Sequence, residues 1–272
     1  MNKRKRKKNR LILVGIVLFL LLLFCLIAPF FAPNDPFQTN LQHVLASPSD
    51  QYPLGTDQVG RCIYSRLLYG ARISLGLTFL LLGIVASIGF VIGLIAGMKG
   101  KWLDALLMRV ADMILAFPEI IFVIAVVSVL GPGVMNMILA LSIIWWTKYA
   151  RLTRTLVLRV KEQEFMHAAV MAGASKMKLT THYILPNILS PLIVQFFLDI
   201  GGMLLTIASL SFLGLGVQAP TPEWGSMLSE GRAYMQTAPW LLLYPGLAIF
   251  MIVVIFNLVG DFARDTLDPK QT

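Results

Sequence analysis

The feature that most constrains this chain is a set of long stretches in which no residue carries a charge. Leu11 to Ala32 is 22 residues without one, and Ile73 to Met98, between Arg72 and Lys99, is 26. At about 1.5 Å of helical rise per residue the shorter stretch is roughly 33 Å long, enough to cross a hydrocarbon core of about 30 Å. The rest of the composition agrees: 57% of the residues are apolar and 14% charged. Soluble chains run about 45–50% and about 25%. A disordered chain, a disulfide-rich secreted domain and an ordinary cytosolic enzyme are thereby excluded, and the expected class is an all-α, multi-pass membrane protein.

Four more spans are expected. The third lies near Met113–Leu130, with Pro118 and Glu119 inside it, and Gly131-Pro132-Gly133 then makes a turn. The fourth lies near Val134–Tyr149, the fifth at about Pro186–Leu213 and the sixth at about Pro239–Gly260. Leu11–Ala32 follows the basic run Lys3–Lys8 as a signal peptide would, but it is too long, and Pro29 and Pro33 spoil a cleavage site. It is read as an uncleaved anchor. The outer loops are then Pro33–Arg72 and Gly214–Ala238, and the long inner loop is Arg151–His182.

The formal net charge of +9 is read as topology, not as affinity for nucleic acid. With both termini in the cytoplasm, 19 of the 23 basic residues fall on the inner side. The other four, Arg61, Arg66, Arg72 and Arg232, fall outside. Cytoplasmic loops carry such an excess of Lys and Arg. The basic start Lys3–Lys8 also suits anionic lipid headgroups. Cys25 and Cys62 offer neither a disulfide framework nor a metal knuckle, and His43, His167 and His182 lack ligand-like spacing. His43 is read as a solvated loop residue. Asp112 is expected to pair with Arg109 on its own helix, and Arg151 and Arg154 to anchor the inner face.

No GxxxxGK[ST] phosphate loop, GxGxxG, HExxH or GxSxG occurs, so neither ATP binding by that route nor an enzyme has support. The most informative segment is His167-Ala168-Ala169-Val170-Met171-Ala172-Gly173, followed after nine residues by Tyr183-Ile184-Leu185-Pro186. Its small residues leave a nearly bare helix surface that another backbone can approach closely. Gly173 can end the helix and Pro186 can start the next. Such a segment suits docking of a cytoplasmic partner, and a solvated amphipathic loop gives the same pattern.

The spacing of Ala168, Ala169, Gly173, Leu185 and Pro186 resembles the EAA loop of ABC importer permeases, with His167 where that family has Glu and Tyr183 where it commonly has Ile. Two further stretches resemble the peptide/nickel group of those permeases. One is Leu54-Gly55-Thr56-Asp57 to Arg66, with Cys62 in place of the usual Asp. The other is Ser211-Phe212-Leu213-Gly214-Leu215-Gly216 with Pro220-Thr221-Pro222-Glu223-Trp224-Gly225. The resemblance runs from about residue 11 to residue 269.

It implies a type I ABC importer transmembrane fold of six helices, an N-terminal helix before a five-helix core. Residues 1–72 would hold the basic start, first span and outer loop, and 73–262 the permease core with its coupling loop at 151–186. Residues 263–272 would be a cytoplasmic tail. It implies a permease subunit in a bacterial inner membrane that moves nickel, metal chelates or di- and oligopeptides, with nickel-type features at Leu198-Asp199-Ile200-Gly201 and Trp146–Arg154. The implied partners are a second, unlike permease subunit, two cytoplasmic ATPase subunits and an outer solute-binding protein. ATP and magnesium would sit on the ATPases, with no cofactor or metal in this chain. His167, Ala168, Ala169, Gly173, Leu185 and Pro186 would form the docking loop. Asp199, acidic at mid-membrane depth, either meets solute in the pathway or pairs with a polar group on a neighbouring helix. A gradient-driven secondary transporter and a non-transporting scaffold are the competing readings; the former is disfavoured by the lack of internal repeats.

Overall fold

A computed structural model of the protein describes residue 23 and residues 26–267. The expected first span lies mostly outside them, and its end, Ala28–Phe31, is a 3-10 turn. The described residues form helices and hold one isolated antiparallel bridge, Thr56 to Cys62. The helices are α1 (Ile63–Lys99), α2 (Lys101–Leu115), α3 (Glu119–Leu130) and α4 (Val134–Lys161). After these come α5 (Glu164–Met171), α6 (Leu185–Phe212), α7 (Trp224–Gly231) and α8 (Trp240–Leu267). Three helical stretches are long and apolar enough to cross a membrane: Ile63–Lys99, Lys176–Phe212 and Trp240–Arg264. A bent pair, α2 with α3, would make a fourth.

Several sequence boundaries move. The helix that holds the second span begins ten residues before the expected Ile73: α1 starts at Ile63 and places Arg66 and Arg72 on a helix. It is 37 residues long, about 55 Å, so it outreaches a bilayer core. The third span is two helices meeting at 85° across Ala116–Pro118. Pro118 has no N–H to give and pushes the residue before it out of helical geometry, so the chain breaks there. The helix that holds the expected fourth span continues past Tyr149, with α4 ending at Lys161. The inner loop therefore starts about ten residues later than Arg151.

Helix α1 is the spine of the fold. Gly89, Gly93 and Gly97 lie four residues apart and so share one face. That face meets α4 at backbone distance. A Cβ on Gly89 would sit 2.4 Å from the Tyr149 Cβ, one on Gly93 2.4 Å from the Ala150 carbonyl oxygen, and one on Gly97 2.8 Å from the Val157 Cβ. Small residues at fourfold spacing allow this approach between membrane helices. The seam fixes the level of Lys148, Tyr149 and Ala150 relative to α1. The main apolar core lies around it, with Leu81, Leu82, Val85, Leu141, Ile144, Ile200, Leu204 and Phe256.

At the start of α1, a cap closes the bundle. Gly55 and Gly60 have φ of +80° and +78°, and a Cβ on Gly60 would fall 1.8 Å from the Asn40 oxygen, so only glycine fits. Asp57 Oδ1 accepts from the Val59 and Arg61 N–H groups, while its Oδ2 receives Arg61 Nε at 2.6 Å. Glu230 Oε2 then receives both Arg61, at 2.7 Å, and Arg66, at 2.9 Å. Two acids and two bases thus neutralise one another below the surface, which is the condition for burying them. Cys62 is free and buried beside this cluster. His43, expected in solvent, instead packs its ring against Tyr52, with centroids 5.5 Å apart.

The second cap motif seats α7. Glu223 Oε2 accepts from the Ser226 N–H at 2.8 Å, capping the helix, and Oε1 accepts from the Ser74 hydroxyl at 3.1 Å. Burial pushes the Glu223 carboxyl above the usual carboxylate range, against the opposing pull of the Gly225 and Ser226 N–H groups and the Ser74 and Ser211 hydroxyls. Trp224 donates from Nε1 to the Leu67 carbonyl at 3.1 Å.

Candidate functional site

Two regions carry the residues singled out in the sequence. The first is the turn between α4 and α6, at the end of α1 remote from the cap. Glu164–Met171 forms the short helix α5, and it stops because Gly173 takes φ of +77°. The Gly173 N–H donates to the Val170 carbonyl and the Ala174 N–H to the Ala169 carbonyl, the paired bonds of a Schellman stop. The chain re-enters helix through one α-turn, Lys176–Lys178, and a π-helical stretch, Leu179–Ile184. Pro186 sits in the first turn of α6.

The structure divides the residues of this loop. His167, Ala168, Gly173 and Pro186 are exposed and Leu185 is half-buried. Ala169 is buried and faces the protein. Met166 seats α5 on a small apolar cluster with Val157, Val160, Ile184 and Ile188. Tyr183, one of the two departures from the EAA pattern, stacks on Phe165 with centroids 6.3 Å apart and ties α5 to the π-helical stretch. The surface is less bare than the run of small residues suggests, because Val170 and Met177 are exposed and Met171 is 89% exposed. These side chains were missed in the sequence. Their signal was present, as large apolar residues in an otherwise polar segment.

The second region lies midway along α4 and α6. Lys148 Nζ is 2.5 Å from Asp199 Oδ1, and Gln195 donates to the same oxygen at 2.9 Å. Asp199 is buried, with a side chain 7% exposed, whereas the Lys148 side chain is 48% exposed. Lys148 also stands over the Trp145 ring, 5.5 Å from its centroid, and Trp145 Nε1 donates to Glu119 Oε1 at 2.7 Å. The buried Tyr149 hydroxyl faces the Asp199 carboxylate from the other side. An unpaired charge at mid-membrane costs about 2.5–3.5 kcal/mol on insertion scales, so this pairing accounts for an acid in so apolar a helix.

The remaining charges pair between elements. Asp112 does not pair with Arg109; it receives Arg151 of α4. Arg154 grips Asp104 with Nε and Nη2, the latter at 2.7 Å. Arg151 and Arg154 are therefore clasps holding α2 against α4, in place of the surface anchors expected of them. An apolar cavity of about 340 Å³ opens between α1, α4 and α6, lined by Phe90, Tyr149, Leu189, Ile193 and Phe196 among others. Among the described residues no cluster of His, Cys, Asp or Glu could hold a metal ion.

An all-helical bundle with paired charges in its spans, an EAA-like turn at one end and a glycine-pinned cap at the other defines a membrane permease. Residues 89–272 match the family model of the binding-protein-dependent transport system inner membrane component, and the chain belongs to that family. Residues 4–48 match the N-terminal transmembrane domain of oligopeptide transport permease C. The chain is 42% identical over 268 residues to the dipeptide transport system permease protein DppC of Alkalihalophilus pseudofirmus, covering 98% of this chain and 88% of the relative. It is 43% identical to the nickel transport system permease protein NikC of Escherichia coli K12, covering 93% and 92%. It is 43% identical to the glutathione transport system permease protein GsiD of Escherichia coli O6:K15:H31, covering 98% and 89%. The fold is also that of a chain of the MetNI methionine ABC transporter, with a TM-score of 0.61 at 17% identity over 74% of this chain and 95% of the other. The protein is a permease component of an ABC importer.

Proposed function

We propose that this chain is one of two unlike permease subunits that together enclose the pathway of a binding-protein-dependent importer. A solute-binding protein delivers a small peptide or a metal chelate at the outer face. Two ATPase subunits, which hold the ATP and magnesium, dock on the α5 turn from the cytoplasm. Their closure moves α5 against α4 and α6 and switches the permease pair between inward-open and outward-open states. This reading takes six spans, the first within Leu11–Ala32, with both termini cytoplasmic; with Lys148 inside the bundle, the 18-to-4 partition of the other basic residues supports it.

The observation that carries the docking assignment is the exposed apolar edge of α5. Val170 and Met171 stand free beyond a helix that the Met166 cluster holds in place. Exposed apolar side chains on an anchored helix are suited to a hydrophobic cleft on a partner. Met171→Glu tests it. Met171 contributes little to the fold, so the permease should insert and pair normally but lose the ATPase subunits on co-purification in mild detergent. Full retention of the ATPases would overturn the assignment. Relatives named for dipeptide, nickel and glutathione transport share 42–43% identity with this chain, so identity alone does not choose among those solutes.

A further inference from the structure

The pair at the middle of the bundle has an asymmetry that bears on the solute. Lys148 is the fifteenth of the 28 residues of α4, and Asp199 the fifteenth of the 28 of α6. Asp199 lies well inside the apolar stretch Lys176–Phe212, and the ion pair brings the Lys148 ammonium to its level. The acid is buried and held twice, by Lys148 and by Gln195. The base is the member that reaches the surface of the bundle, with nearly half its side chain open. A half-open ammonium at this depth must face water or protein, since lipid offers it nothing. Beside it lies a polar track rather than an apolar one: Trp145 beneath the ammonium and Glu119 on the indole N–H. On the buried side the Tyr149 hydroxyl faces the Asp199 carboxylate.

Building on the transport reading, we propose that Lys148 is the specificity-determining residue of the pathway, a cation that receives the carboxylate of a passing solute. Asp199 is its positioning partner, the resident counter-ion to which Lys148 returns once the solute has left. A bare cation is the poor match. It would have to displace Lys148 from Asp199 and would meet the ammonium first. An amino-acid or short-peptide carboxylate meets the exposed charge directly, and Lys148 can exchange one carboxylate for another without ever being unpaired.

The test uses the whole complex, with its ATPases and binding protein, in proteoliposomes. The probes are dialanine, alanyl-alaninamide (which lacks the carboxylate) and Ni²⁺. Wild type is expected to prefer dialanine to the amide. Lys148→Met should shrink that ratio of KM values at least tenfold, and Lys148→Arg should keep it. Because every permease form is served by the same binding protein, the change in ratio reads the permease alone. Asp199→Asn should lower KM and kcat together for dialanine, since Lys148 then holds the solute without competition. An unchanged ratio in assembled Lys148→Met complexes overturns the proposal. If that variant does not assemble, Lys148→Met with Asp199→Leu leaves no lone charge. An assembled double variant with the wild-type ratio makes the pair a helix staple and overturns the proposal, whereas one that has lost the ratio supports it. Wild-type accumulation of Ni²⁺ without dialanine also overturns it and leaves the importer reading standing. Failure of assembled wild type to accumulate dialanine likewise overturns it and leaves the importer reading, carried by the family match, standing.

Discussion

Replacing Gly93 by alanine adds one methyl group where α1 meets α4. Built on the present backbone, that Cβ lies 2.4 Å from the Ala150 carbonyl oxygen and 2.6 Å from the Thr153 Cβ. Ordinary contact begins near 3.5 Å, so the helices must part by about 1 Å along a seam that Gly89 and Gly97 otherwise keep closed. Neither obstacle is the free end of a flexible side chain. Overpacking of this kind costs about 1–3 kcal/mol, which for a chain of this size lowers a melting temperature by roughly 2–4 °C per kcal/mol. The same helix supplies the control. A Cβ on Gly76 or Gly83 meets nothing within 4 Å, so alanine there is expected to be neutral or to stabilise by up to about 1 kcal/mol through helix propensity. The assay is fluorescence-detected size-exclusion melting of the three single variants in one detergent. Gly93→Ala melting at or above Gly83→Ala would refute the seam as the contact that sets α4 in place.

Three further outcomes follow from the cap and its neighbours. Cys62 is buried, so a membrane-impermeant maleimide should leave it unlabelled in the native protein and label it after denaturation; fast native labelling would mean the cap stands open. Arg66→Met leaves Glu230 with Arg61 alone and should cost about 3–5 kcal/mol in thermal or denaturant unfolding, and a neutral result would show the cluster to be dispensable. For Glu223 the folded state holds the carboxyl proton more tightly than the unfolded one. Its contribution to stability is therefore greatest below the ordinary value of about 4.5 and is lost as pH rises through the raised one. Glu223→Gln should flatten that slope, and a wild-type-minus-variant difference in melting temperature that does not change with pH would contradict it.

Helix content was legible in the sequence because uncharged stretches and their basic borders are one-dimensional signals. So were the turn at Gly131–Gly133, the stop at Gly173 and the start at Pro186, since each is local backbone chemistry. What failed was pairing. Asp112 has an Arg three residues back on its own helix, and the sequence offers that partner first; the fold supplies Arg151 from another helix. Arg61 and Arg66 count as outer charges in a tally of basic residues, but their partner Glu230 is more than 160 residues away in the chain. The early start of α1 was hidden for the same reason. Arg66 interrupts hydropathy without interrupting the helix, because Glu230 answers its charge from another segment, and Arg72 stays exposed on the same helix. At the middle of the bundle the acid was visible as an anomaly, and the base that answers it was assigned to the inner border instead.

The distance in sequence between Arg61, Arg66 and Glu230 also sets an order of events during synthesis. A ribosome delivers residue 61 long before residue 230, and the spans between them enter the membrane one after another. Through that interval Asp57 is the cluster's sole acid, and it faces two arginines. One positive charge stays unanswered until the segment before the last span emerges. The cap therefore cannot close on a nascent chain. Its closure reports that α7 has arrived, so a truncated product would display an open, protease-accessible loop around Gly55–Arg61 while a finished one would not. Quality control could tell the two apart by that loop alone.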